Sequence, residues 1–124
     1  MSKILIVDDQ ADAARLLVAL LELDGFAAER LKGNWSRLVE EVEQRRPDLV
    51  ILDVRLPEVD GLELLRQLRA HPDSEVARVP VLLTSALDHR YDGGKAGANG
   101  FLPKPFTRQA LLDAITQIGM AETL

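Results

Sequence analysis

The stretch VILDVRLPEVDG, residues 50–61, runs from apolar residues straight into Asp53 and then into a turn bounded by proline and glycine. A carboxylate is expensive to desolvate, so a chain places one at such a point where the strand leaves the core. The run LVIL (49–52) lacks the in-out alternation of a half-exposed strand. That is the pattern of a parallel strand covered by helices on both faces. ILIV (4–7) and VLL (81–83) have the same character, and each also ends in polar residues: Asp8 and Asp9 after the first, Thr84 after the second.

Working outward, residues of helical period separate these runs. Ala13, Leu16, Leu17 and Leu20 form one stripe, and Trp35, Leu38, Val39 and Val42 a second. Leu64, Leu65 and Leu68 form a third, and Leu111, Ala114, Ile115 and Ile118 another. FAAERL (26–31) is more polar and GFL (100–102) is short and stopped by Pro103, so both read as edge strands. Five β/α units with right-handed crossovers predict a doubly wound five-stranded parallel sheet, strand order 2-1-3-4-5. Ligands of such sheets bind outside the strand carboxyl ends at the switch point. There stand Asp8, Asp9, Asp53, Thr84 and, shortly after the fifth strand, Lys104.

The 124 residues fit a single domain, 1–124, large enough to bury about two thirds of its unfolded surface. A net charge of −5 disfavours nucleic acid and anionic membrane as direct partners. Without cysteine there is neither a disulfide nor a thiolate metal site, which permits a reducing cytoplasm. Residues 1–7 are too short, and Asp8 and Asp9 follow too soon, for a signal peptide or membrane span. The expectation is a soluble, cytoplasmic, unprocessed chain.

Three carboxylates at one end of a sheet repel one another and need a compensating cation. An all-oxygen set suits a hard divalent ion, and Mg²⁺ commonly completes its shell with phosphate oxygens. The substrate expected is a phosphoryl group, with Asp53 as nucleophile and Lys104 and Thr84 neutralising or bonding the transferred oxygens. Singly, each residue has a plainer reading. An Asp after a strand is often a helix cap, Thr84 a strand-end hydroxyl, Lys104 a solvated charge. Their value lies in the shared rim.

These motifs, ILIVDD (4–9), PDLVILDVRLPEVDG (47–61), VPVLLTSA (79–86) and GFLPKPF (100–106), resemble the response regulator receiver domain over essentially the whole chain. The resemblance implies a flavodoxin-like, CheY-like fold and a signalling switch rather than a turnover enzyme. It implies Asp53 as phosphoacceptor, Asp9 as direct Mg²⁺ ligand, Asp8 as a partner acting partly through water, and the backbone carbonyl of Arg55 as a further ligand. Lys104 would pair with the phosphoryl group, Thr84 would bond it, and Phe101 would be the switching aromatic, lacking the hydroxyl of a tyrosine. The Lys104–Pro105 bond would be cis. Expected partners are a sensor histidine kinase or phosphotransfer protein, and a downstream protein target or an output domain outside this chain. Two alternatives stand beside this reading. A haloacid-dehalogenase-like phosphatase shares the Asp, Mg²⁺, Thr and Lys but carries its nucleophile after the first strand in a D-x-D pattern, which DDQAD lacks. A receiver-like interaction module that is never phosphorylated would not need the intact set.

The chain departs from the family between Thr84 and Lys104, where the connection is shorter than usual and residues 88–100 hold four of the eight glycines. Glycine costs a helix interior about 1 kcal/mol relative to alanine. A short fourth helix, irregular around Gly93 and Gly94, is therefore expected. His71 and His89 have no acidic constellation arranged for metal or phosphate chemistry and read as solvated.

Overall fold

Apolar runs become central strands because their backbone polar groups pair with neighbours on both sides while both faces carry helices. A computed structural model of the chain describes residues 2–119. Its strands are β1 (Lys3–Val7), β2 (Ala27–Arg30), β3 (Leu49–Asp53), a short hairpin of β4 (Arg55–Leu56) and β5 (Val59–Asp60), β6 (Val81–Ser85) and β7 (Gly100–Pro103). The helices are α1 (Ala11–Leu23), α2 (Leu38–Arg45) after a 3-10 turn at Trp35–Arg37, α3 (Gly61–Arg69), α4 (Ser74–Ala77), α5 (Arg90–Ala96) and α6 (Arg108–Ile118). The five long strands form one parallel sheet in the order β2-β1-β3-β6-β7, which is 2-1-3-4-5 when the hairpin is set aside. Among the described residues six α-helices stand where five were expected, because Asp73, whose carboxylate accepts the Glu75 amide, caps a single extra turn, α4.

The period-two alternation of each strand sorts the core into two clusters. Leu5, Val7, Val50, Leu52, Val81 and Leu83 face the helices α2, α3 and α5. Ile4, Ile6, Ile51, Leu82 and Leu102 face α1 and α6. The α1 stripe is displaced from the sequence expectation. Ala14, Leu17 and Leu21 are buried, whereas Leu16 is 61% exposed, because α1 carries leucines on more than one face and periodicity alone does not rank them.

The segment with the glycine pair is also corrected. α5 is short, seven residues, yet it runs unbroken through Gly93 and Gly94, and the Gly93 amide donates to the His89 carbonyl at 2.7 Å. Tertiary packing overrides the propensity cost. A Cβ on Gly93 would stand 2.6 Å from Cδ1 of the fully buried Leu83, so any larger residue there requires Leu83 to shift. Neither histidine is solvated. His71 Nε2 contacts Glu43 while Nδ1 accepts the Asp73 amide, and both ring nitrogens of His89 are buried.

Candidate functional site

The alternation that sorts the core also gathers the polar rim. Asp53 follows Ile51 by two residues, Thr84 follows Leu82, Asp8 follows Ile6 and Lys104 follows Leu102, so all four continue the face that packs against α1 and α6. Lys104 Nζ donates to Asp8 Oδ2 at 3.0 Å and to Asp53 Oδ2 at 3.1 Å. The remaining oxygens are held by local turns: Asp8 Oδ1 accepts the Gln10 amide at 2.9 Å, and Asp53 Oδ1 accepts the Arg55 amide at 3.1 Å. One carboxylate oxygen from each of Asp8, Asp9 and Asp53 lies within 4.8 Å of the other two. Asp8 and Asp53 are buried, 3% and 6% exposed, and Asp9 is open to solvent.

Burial raises the Asp53 carboxyl above its ordinary range, and the charge of Lys104 with the Arg55 amide only partly opposes it, while Asp8 adds to the rise. Burial alone would lower the Lys104 ammonium, but its bonds to Asp8 and the charge of Asp53 outweigh that and its pKa is raised. The site therefore holds two buried carboxylates on one cation, short of charge balance. An all-oxygen set with that excess negative charge fits a hard divalent ion.

Above these groups opens a cleft of about 400 Å³ lined by Asp9, Gln10, Asp53, Arg55, Ser85, Ala86, Leu87 and Lys104. The β6 rim is presented to it by Ser85, Ala86 and Leu87; Thr84 sits one residue back, 2% exposed, in register with Asp53. Phe101 is half-buried on the opposite face of the sheet, packed against the cluster that holds Leu83, with the Arg90 guanidinium 5.4 Å above its ring. The Lys104–Pro105 peptide bond is cis.

Two contributors were not singled out from sequence. Ser85 lines the cleft, and its hydroxyl accepts the Leu87 amide, which turns the chain out of β6. Gly61 lies against the backbone of Asp53. Its amide donates to the Val54 carbonyl, and a Cβ there would come within 2.4 Å of the Asp53 carbonyl oxygen. The signal was the Asp60–Gly61 pair ending the turn, but the close approach depends on how the hairpin folds back.

Fold and site together define a doubly wound α/β domain whose acidic, lysine-bridged cleft lies at the topological switch point. The profile of the response regulator receiver domain family matches residues 4–116, and the chain belongs to that family. It is 39% identical over 116 residues to the response regulator MprA of Mycobacterium leprae (strain TN), covering 91% of this chain and 49% of that protein. It is 37% identical over 121 residues to the CpxR homolog of Haemophilus influenzae, a transcriptional regulatory protein, covering 95% and 50%. The chain thus spans about half the length of these curated relatives. The solved structure of the chemotaxis response regulator CheY4 of Vibrio cholerae superposes with a TM-score of 0.83 at 26% identity, over 95% of this chain and 98% of that one. Family membership leaves no place for the dehalogenase-like alternative. Among the described residues no helix is long and apolar enough to cross a membrane.

Proposed function

We propose that this domain is a phosphorylation switch in which Asp53 accepts a phosphoryl group from the phosphohistidine of a sensor kinase or phosphotransfer protein. The carrying observation is a buried carboxylate that shares the Lys104 ammonium with Asp8 at the floor of an open cleft. An Asp53 oxygen forms the bond to phosphorus as the phosphorus–nitrogen bond breaks, and the electron pair leaves with the imidazole. Lys104 follows the charge from carboxylate to phosphoryl oxygen. Asp8, Asp9, Asp53 and the Arg55 carbonyl would hold Mg²⁺, which when bound neutralises the phosphoryl oxygens. Water attacking phosphorus later releases phosphate and restores Asp53, so the domain acts only on its own phosphoryl group.

The Thr84 hydroxyl bonds the attached phosphoryl group, and its movement changes the packing under Phe101 on the other side of β6. That change alters which partner binds, whether a separate protein target or an output domain in a longer chain. Docking of the phosphodonor is supported by α1. Leu16 and Leu23 are exposed there, and Ala13, Leu16, Leu17 and Leu20 line an apolar groove with Pro105 and Phe106 that reaches Asp8 and Lys104. An apolar helix face beside the acceptor suits a helical donor domain. Such a relay operates in the cytoplasm.

Intact-mass measurement after incubation with acetyl phosphate and Mg²⁺ tests the chemistry without the kinase. One added phosphoryl group on the parent chain and none on Asp53→Asn is expected. Equal labelling of the variant would refute Asp53 as acceptor, and an unlabelled parent would favour the interaction module that is never phosphorylated.

A further inference from the structure

The two ends of α5 are held differently: its C-terminal end is tied by the backbone bonds of Ala98 to Gly93 and of Asn99 to Val81, both 2.9 Å, and by one arginine that reaches across from α3. Arg69, at the last turn of α3, is half-buried and bonds only neutral oxygens. Its Nε donates to the Gly97 carbonyl at 2.9 Å, Nη1 to the carbonyls of Ala77 at 2.9 Å and Val79 at 2.8 Å, and Nη2 to Asn99 Oδ1 at 2.9 Å. Asn99 Oδ1 also accepts the Val81 amide, so the same group ties in the start of β6. Burial without a carboxylate partner lowers the Arg69 pKa, a cost the structure carries for this junction. Gly97 ends α5 in the left-handed region at φ 103°, and a Cβ there would stand 2.9 Å from Arg69 Cγ. The guanidinium thus fits where only glycine leaves room, and its planar fork reaches several carbonyls at once, as an ammonium cannot.

The opposite end of α5 is fastened only locally: Asp88 Oδ1 accepts the Arg90 amide at 2.9 Å and Asp88 Oδ2 the Arg90 guanidinium at 3.1 Å, and both residues belong to the same short segment. His89, its N-cap position, makes no side-chain cap bond, and both buried ring nitrogens lack a protein partner, with Asp92 4.0 Å from Nδ1. A buried polar atom without a partner disfavours the conformation that buries it. Leu87 and Tyr91 are exposed there, and Arg90 rests on the ring of Phe101.

We infer that Arg69 is the positioning residue of the switch: it anchors residues 97–99, so that α5 responds to the phosphoacceptor site as a lever whose N-terminal end alone moves. The moving end carries Leu87, His89, Arg90 and Tyr91 and begins where Ser85, Ala86 and Leu87 line the cleft. Arg69 touches neither the cleft nor the reacting atoms and acts through Gly97 and Asn99. The lever rests on the phosphorylation reading above, whereas the anchor does not.

Hydrogen exchange on the whole chain separates the two, with Asp53 labelling by acetyl phosphate and Mg²⁺ counted by intact mass in the same samples. In the unlabelled protein, Arg69→Met should lose more than about tenfold of the protection at amides 97–99 while amides 50–52 keep theirs. Arg69→Lys, which keeps the charge but not the fork, should fall between. In the labelled parent, exchange should change over 86–93 and stay fixed over 97–99; in labelled Arg69→Met the change should extend through 97–99. Unchanged protection at 97–99 in Arg69→Met, or a labelled parent whose 97–99 change matches that of 86–93, overturns the proposal. A parent that takes no phosphoryl group defeats the functional reading and the lever together, while the unlabelled arm still decides the anchor. If Arg69→Met does not fold, Arg69→Lys and the labelled parent decide.

Discussion

Burial raises the proton affinity of Asp53 and Lys104 only partly offsets it, so the ionised carboxylate is a local cost to the folded state. The folded carboxyl holds its proton to higher pH than the unfolded one. Its contribution to stability is full below the ordinary carboxylate range, about pH 4, and is lost as pH rises through the folded value. Asp53→Asn should therefore raise the melting temperature in metal-free buffer at pH 7 by a few degrees, the response of a domain this size to about 1 kcal/mol. The gap should close as pH falls below the carboxylate range. Asp9→Asn should change little, because Asp9 is solvated. Parallel melts at pH 7 and at acid pH check this; a gap that widened toward acid would reverse the sign assigned to Asp53. The juxtaposition of Asp8, Asp53 and Lys104 was legible because each stands two residues past an apolar residue of one face. Ser85 was not, since a hydroxyl beside Thr84 reads as more strand, and Gly61 was not, since its contact with Asp53 is made by the fold-back of the hairpin.

Among the elements, α5 shows where propensity and packing part company. Its two adjacent glycines look alike in sequence and stand in different surroundings. A Cβ on Gly94 meets nothing within 4 Å, whereas one on Gly93 meets the fully buried Leu83. Gly94→Ala should stabilise by roughly 0.5–1 kcal/mol through helix propensity and the restricted unfolded chain. Gly93→Ala should destabilise by about 1–2 kcal/mol, because overpacking against β6 exceeds the same propensity gain. Urea midpoints for the two variants check this, and shifts of the same sign would mean that Leu83 yields freely. Central strands were legible from unbroken apolar runs and edge strands from their polarity. The face of α1 was not, because its leucines also fill an exposed stripe. The burial of His71 and His89 was not either, since each ring is covered by elements distant in sequence or by the packing of α5.

For the whole molecule, topology decides more than composition. The sheet order brings the ends of β1, β3, β6 and β7 to one rim and sets α1 beside it, so the exposed apolar face of α1 adjoins the acceptor cleft. That the strand order could be read in advance follows from the few arrangements open to repeated β/α units. Which exposed surface a partner uses could not be, since it depends on side chains left over after the core is filled. Leu16 is such a side chain, 61% exposed and on the groove that ends at Asp8 and Lys104. An exposed leucine contributes little to folding, so Leu16→Glu should leave the melting temperature nearly unchanged, within about 0.5 kcal/mol of the parent. A small donor such as acetyl phosphate needs only the cleft, so its labelling of the variant should proceed at the parental rate. A protein donor must also cover the α1 face, and burying a carboxylate there without a partner should slow phosphotransfer from a histidine kinase that labels the parent by roughly tenfold or more. Rates measured with both donors separate docking from chemistry. Equal slowing with both would mean that the substitution disturbs the cleft itself, and no slowing with either would move the donor's footprint off α1.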